Sequence, residues 1–303
     1  MRRVLHRLTR AALGAGAVAA AFGLAAGAQA QDLYGTLAKI DAANEIVIGH
    51  RETSIPFSWI DSAGGPPQGY SVDLCLRIAD AVKEELGKPD LNVRFVPVTP
   101  QTRIPLLTNG TIDIECGSTT NNLTRQQQVA YLPVTFITGT KLLVKADAGI
   151  ETLSDMEGMR IALAQGTTNE RVVKEAIDAN DLDIDILNVK DHAEGFLALE
   201  TDRVDAYSTD HILLYGLITR ARDPETYAVV GDFLSYDPYA LMVRRDDSAF
   251  QLLGTRVLAD LFRSGEIADI YAKWFQPFPT SEVVSEPPTD LLQAAWRLNA
   301  LPQ

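Results

Sequence analysis

Short apolar runs alternate along this chain with amphipathic stretches long enough to be helices, and that alternation restricts its fold more than any other feature. Residues 45–49 read Glu-Ile-Val-Ile-Gly, a strand closed by glycine. Over residues 71–86, Leu74, Ile78, Val82 and Leu86 recur every fourth position among Arg77, Lys83 and Glu84, which predicts an amphipathic helix. Ser71 is its expected N-cap, with Asp73 in the first turn, and Gly87 with Pro89 stops it. A strand over 93–98, a short helix over 104–108 and a strand over 112–115 follow. A second series has strands at 141–145, 160–163, 185–189 and 204–207, and helices at 168–179, 193–200 and from 210. A strand over 239–243 and helices over 248–262, 266–275 and 291–298 close the chain. The rhythm predicts an α/β protein.

Residues 1–30 stand apart from that pattern. Arg2, Arg3, Arg7 and Arg10 precede an uncharged run over 11–27, and Ala28-Gln29-Ala30 closes it. This predicts a secretory signal peptide cleaved after Ala30. A membrane anchor is the alternative reading, but the run is short, rich in Ala and Gly, and ends in a cleavage pattern. The chain carries 27 basic and 40 acidic residues for a net charge of −13, and removal of the four leader arginines takes it to −17. An acidity of that size argues against a nucleic-acid partner, which needs a basic face. A hydrophobic content of 46% excludes disorder. Two cysteines exclude a disulfide-dense scaffold and a multi-cysteine zinc cluster. In an oxidising compartment Cys75 and Cys116 either pair or stay as two buried thiols, and sequence does not choose between them. The length allows two domains, yet no Pro/Ser-rich linker divides the middle, so interleaved lobes are expected.

Enzyme signatures are incomplete. Cys116-Gly117-Ser118-Thr119 lacks the closing glycine of a nucleophile elbow. His50, His192 and His211 have no metal-ligand spacing, and neither a P-loop nor a dinucleotide fingerprint occurs. No metal and no cofactor is therefore expected. What stands out is a set of arginines at loop–helix junctions: Arg51 after a strand end, Arg103 before Ile-Pro-Leu-Leu, and Arg125 after the hydroxyl- and amide-rich loop 117–122. A charge opening an apolar helix is costly unless paired, and loops rich in backbone N–H and hydroxyl groups suit anions. Gly166-Thr167-Thr168 at a helix start offers the same chemistry. Three such arginines in an acidic chain point to capture of a small anion or dianion.

Together these segments resemble the periplasmic solute-binding proteins of polar amino-acid ABC transporters. The resemblance begins at Gly69-Tyr70-Ser71-Val72-Asp73-Leu74. It tightens toward the glutamate/aspartate-binding branch through Arg51-Glu52-Thr53-Ser54-Ile55-Pro56-Phe57-Ser58, Arg103-Ile104-Pro105-Leu106-Leu107 and Glu115-Cys116-Gly117-Ser118-Thr119-Thr120-Asn121-Asn122. Gly166-Thr167-Thr168, Lys190-Asp191-His192 and Lys273-Trp274-Phe275 extend it over about residues 35–280.

The resemblance implies a type II periplasmic-binding-protein fold, two α/β lobes joined by a two-strand hinge. Lobe 1 would comprise 31–138 plus 236–303 and lobe 2 would comprise 139–235, with hinge strands near 138–141 and 235–239. It implies that Arg125, helped by Thr120 and Thr168, pairs a ligand α-carboxylate. Asp210 and Ser118 would take the ammonium, and Arg51, Arg103 and His192 the side-chain carboxylate. Pro100 departs from the branch, where serine is common. Two plainer readings stand beside these roles: His192 as a surface helix-edge residue, and Asp210 as only an N-cap for the following helix. Trp274 and Phe275 read as core.

The expected function is a non-catalytic periplasmic carrier, monomeric, that delivers glutamate and aspartate to a membrane permease. A dehydratase-like enzyme on the same fold is the alternative and would need His192 or Glu115 as its general acid or base. A sensory amino-acid-binding module is a third reading.

Overall fold

The computed structural model describes residues 33–62, 64–278 and 285–302. The expected leader lies outside them. Among the described residues no helix is long and apolar enough to cross a membrane.

Two five-stranded sheets organise the chain. In the first, Glu45–His50 pairs in parallel with Asn92–Pro97 on one side and Ile114–Cys116 on the other. Met242–Arg244 then runs antiparallel between Ile114–Cys116 and Val129–Tyr131. In the second, Arg160–Ala164 lies parallel to both Asp185–Val189 and Ala206–Asp210. Thr140–Lys145 is antiparallel to Ala206–Asp210 and to Tyr227–Val230. The chain leaves the first sheet through Phe136–Thr138 and returns through Asp237–Tyr239, and these two strands pair antiparallel. One α/β lobe is thus built on each sheet and a two-stranded ribbon joins them. The strand expected over 239–243 is divided, because Tyr239 ends the ribbon pair while Met242 opens the pairing with the first sheet.

The helix Tyr70–Leu86 buries Leu74, Ile78 and Val82 as its periodicity demands, and Gly87 ends it in the left-handed region. Its start differs from expectation. The chain enters at Gly69 with φ 134°, where a Cβ would lie 2.3 Å from the carbonyl oxygen of Phe57. Ser71 is therefore inside the helix rather than capping it, and its buried hydroxyl donates to the Gly117 carbonyl at 2.7 Å. Side-chain caps do occur within the second lobe: the Thr167 hydroxyl accepts from the Glu170 N–H ahead of Thr168–Ala179, and the Asp191 carboxylate accepts from the Glu194 N–H ahead of His192–Glu200.

The core of the first lobe is aromatic. Phe57, Tyr70, Phe136, Tyr239, Tyr271 and Phe275 pack edge-to-face and stacked, with Phe136 and Phe275 centroids 5.1 Å apart. Trp274 and Phe275 are buried within it, as expected from their sequence context. Cys75 and Cys116 form a disulfide with Cα atoms 6.2 Å apart, which settles the choice left open by sequence. The bond ties the helix Tyr70–Leu86 to the strand Ile114–Cys116 at the root of loop 117–122.

Candidate functional site

Parallel strands aim their carboxyl ends at a common crevice in open α/β sheets, and both sheets do so here. In the first, the ends of Glu45–His50 and Ile114–Cys116 lead into Arg51 and into loop 117–122, while Arg103 opens the helix Arg103–Thr108. In the second, Arg160–Ala164 leads into Gly166-Thr167-Thr168, Asp185–Val189 into Asp191 and His192, and Ala206–Asp210 ends on Asp210 itself. Arg51, Arg103, Ser118, Thr120, Thr168, His192 and Asp210 line one cavity, joined by Thr167, Asn169 and Leu213. Arg125 is not among its walls. It is buried, and donates from Nη1 to the Thr120 carbonyl at 2.9 Å and from Nη2 to the Gly166 carbonyl at 3.1 Å, so it spans the two lobes.

The cationic end is unusual for its burial. Arg51 is 1% exposed, Arg103 2% and Arg125 8%. Burial, then the charge of Arg103, pushes the guanidinium of Arg51 down to about 10 and that of Arg125 to about 10, so both remain charged at neutral pH. Arg103 donates from Nη1 to Thr119 Oγ1 at 2.6 Å and to the Ser118 carbonyl at 3.3 Å. Its Nε has no partner, and neither has Arg51 Nη2. His192 is buried too, so it is not a surface helix-edge residue. Its Nδ1 lies 2.7 Å from the Tyr207 hydroxyl. Burial, then Arg51 and Arg103, holds its imidazole well below the usual range, so the ring is neutral. The tautomer with hydrogen on Nε2 accepts from Tyr207 and keeps a donor for an anion.

The acceptor end is equally uncommitted. Asp210 stands at the N-cap position of His211–Ile218, but its side chain makes no capping bond. Instead Oδ2 accepts from the Tyr239 hydroxyl, and Oδ1 has no partner. Burial, reinforced by Asp237, pushes its carboxyl up to about 8. Ser118 Oγ is buried without a partner, so no base is in position to activate it. The Thr120 hydroxyl donates to Asp237 Oδ1 at 2.9 Å and lies 3.1 Å from the Thr168 hydroxyl.

Three contributors escaped the sequence reading. Asp237 sits in the ribbon strand that the sequence marked only as a crossover. Asn169 donates to the Thr140 hydroxyl at 2.7 Å from inside the helix that Thr168 opens. Leu213 supplies apolar wall from the helix after Asp210. An acid within a short strand and an amide inside a helix carry no local signal of a site. Buried polar atoms without partners are costly and rare, and four of the seven such side-chain atoms among the described residues line one cavity: Arg51 Nη2 and Arg103 Nε as donors, Asp210 Oδ1 and Ser118 Oγ as acceptors. Such an arrangement suits a small molecule carrying both negative and positive charge. Among the described residues no group of His, Cys, Asp and Glu is placed to hold a metal ion.

Comparison with known proteins agrees with this geometry. The L-glutamate/L-aspartate-binding protein of Pseudomonas aeruginosa is 45% identical over 257 residues, covering 84% of this chain and 85% of that protein. The glutamate/aspartate import solute-binding protein of Escherichia coli is 40% identical over 265 residues, covering 87% of each. Among solved structures, an ancestral arginine-binding protein bound to glutamine shares the fold with a TM-score of 0.68 at 27% identity, covering 77% of this chain and 98% of that one. The pattern of the bacterial extracellular solute-binding proteins, family 3, matches residues 46–277. With the type II periplasmic-binding architecture and a cleft at the strand ends of both sheets, the chain belongs to family 3 of the bacterial extracellular solute-binding proteins.

Proposed function

We propose that this protein is a periplasmic carrier, not an enzyme, that captures L-glutamate and L-aspartate and delivers them to the permease of an ABC transporter. The observation that carries the reading is the opposed pair of unpartnered sets, the cationic donors of Arg51 and Arg103 facing the same cavity as the acceptors of Asp210 and Ser118. A dicarboxylic amino acid has two anions and one cation, and it satisfies both sets at once. The relatives named for glutamate and aspartate support the ligand class.

In this reading Arg125, with Thr120 and Thr168, meets the α-carboxylate. Asp210 and Ser118 take the ammonium, and Arg51, Arg103 and His192 the side-chain carboxylate. The reading also includes a leader cleaved after Ala30, lobes of 31–138 plus 236–303 and of 139–235, and a monomer. Charge-assisted hydrogen bonds contribute roughly 1.5–3 kcal/mol each, and micromolar affinity is about −8 kcal/mol. Three or four such bonds therefore suffice. A neutral amide leaves buried arginines under-paired, which is the physical basis for preferring the acid.

Calorimetry across the twenty amino acids tests this. Glutamate and aspartate bind tightly, asparagine and lysine weakly. Arg125→Ala abolishes binding of every ligand, whereas Arg103→Ala mainly erodes the preference for acid over amide. Equal wild-type affinity for glutamine overturns the side-chain roles of Arg51 and Arg103.

A further inference from the structure

Glu115 is a buried acid on the arginine side of the cleft that the binding scheme leaves unused. It lies on the strand Ile114–Cys116 with 0% exposure. Its Oε2 accepts from the Thr119 hydroxyl at 2.7 Å, and that same hydroxyl accepts from Arg103 Nη1 at 2.6 Å, so carboxylate, hydroxyl and guanidinium form a chain. Its Oε1 has no hydrogen-bond partner. Gly117 makes room for this arrangement, since a Cβ there would lie 2.4 Å from Glu115 Oε1 and 2.8 Å from Arg51 Cγ. The negative charge of Glu115 also acts on Arg51 and Arg125, holding up the guanidinium of each against burial. One carboxylate thus acts on Arg51, Arg103 and Arg125 without forming an ion pair with any of them.

We propose that Glu115 is a specificity-setting residue: its charge offsets part of the arginine cluster, and so sets how strongly the cleft favours a ligand by that ligand's net charge. The inference rests on the cleft being the ligand site but not on glutamate being the ligand. The hydrogen bond from the Thr119 hydroxyl alone could be met by a neutral acceptor. A buried carboxylate costs desolvation that a neutral acceptor does not, so a carboxylate at this place points to the charge. The consequence is restraint: with Glu115 present the arginines hold an acidic ligand firmly, yet less firmly than they otherwise would, and release to a permease remains accessible.

The experiment is calorimetry of wild type and Glu115→Gln against glutamate, aspartate, glutamine, asparagine, lysine and arginine. Glutamine at 115 keeps an acceptor for Thr119 and removes the charge. At an effective dielectric of 20, one unit charge about 10 Å away is worth about tenfold in affinity. The expected profile is ordered by ligand charge: acids gain about tenfold, neutral amides stay within about twofold, and cationic ligands lose about tenfold. Glu115→Met, which removes both the charge and the acceptor, gives the same ordering and carries the test if the glutamine variant does not fold. A profile that is flat across ligand charge, or a loss of equal size for every ligand, overturns the proposal. A wild type that prefers a neutral amino acid overturns the acidic-ligand reading instead, and the charge ordering between variant and wild type still decides the role of Glu115.

Discussion

Gly216 faces the carbonyl of Ile55 so closely that a Cβ at 216 would lie 2.3 Å from its oxygen. Ile55 packs with the core of the first lobe, whereas Gly216 lies in the helix His211–Ile218, which covers the second sheet. The contact therefore belongs to the closed pairing of the lobes. Other groups meet across the same divide: Arg220 donates to Asp61 Oδ1 at 2.7 Å, and Gln101 donates to Gln165 Oε1 at 3.2 Å.

Glycine inside a helix costs about 0.5–1 kcal/mol relative to alanine, so this one has a packing reason. Gly216→Ala leaves the unliganded unfolding midpoint unchanged or slightly higher, because the lobes part to relieve the clash. Ligand affinity falls, because closure now costs about 1–3 kcal/mol of overpacking, which is about fivefold to a hundredfold in Kd. Calorimetry measures the affinity and small-angle scattering the more open form. Wild-type affinity in the variant refutes the account.

The carboxyl of Asp210, pushed up to about 8 by burial and by Asp237, couples stability to pH. In the unfolded chain it ionises near its ordinary value, so between that value and about 8 the folded state holds one more proton. Stability of the unliganded protein therefore falls as pH rises through that window, by at most about 1.4 kcal/mol per pH unit. His192 acts with opposite sign: its folded-state value is held well below 6.5, so its contribution is lost as pH falls below 6.5. Denaturant melts of the unliganded protein between pH 6.5 and 8 isolate Asp210. Asp210→Asn removes the slope in that interval and also weakens ligand binding by removing the negative charge that pairs with the ammonium. A slope unchanged in Asp210→Asn assigns the proton elsewhere.

The Cys75–Cys116 bond closes a loop of sequence separation 41, and both sulfurs are buried. Loop closure of that size is worth about 3–4 kcal/mol. Cys75→Ser with Cys116→Ser lowers the unfolding midpoint by roughly 5–10 °C. The bond anchors the strand from which loop 117–122 departs, so the double variant also loses affinity. A midpoint within about 2 °C of wild type would show that the bond adds little to stability.

Much of the secondary structure was readable from local pattern. The helix over 168–179 and the strand over 185–189 fall where periodicity and turn residues put them, and Gly87 ends its helix as a glycine after the last apolar position does. The arginines were readable as well, because a cation opening an apolar helix needs a reason. Ser71 was misread because the cap signature is local, whereas the entry of that helix is decided by Gly69 passing the backbone of Phe57. Asp210 has the sequence position of a cap, but the Tyr239 hydroxyl, far along the chain, takes its side chain instead.

What the sequence determined by itself was the alternation of strands and helices, the acidity that excludes nucleic acid, and the residue types that an amphoteric ligand requires. These depend on periodicities of a few residues and on composition, which no tertiary contact changes. Only the tertiary structure decided that Cys75 reaches Cys116, that Asp237 takes the Thr120 hydroxyl, that Arg125 joins Thr120 to Gly166, and that Glu115 lies beneath Arg103 through Thr119. Most of these join segments far apart in sequence, and all depend on how strands pair and lobes close. The desolvation that makes the buried arginines costly arises only when the two sheets bring their strand ends to one cleft.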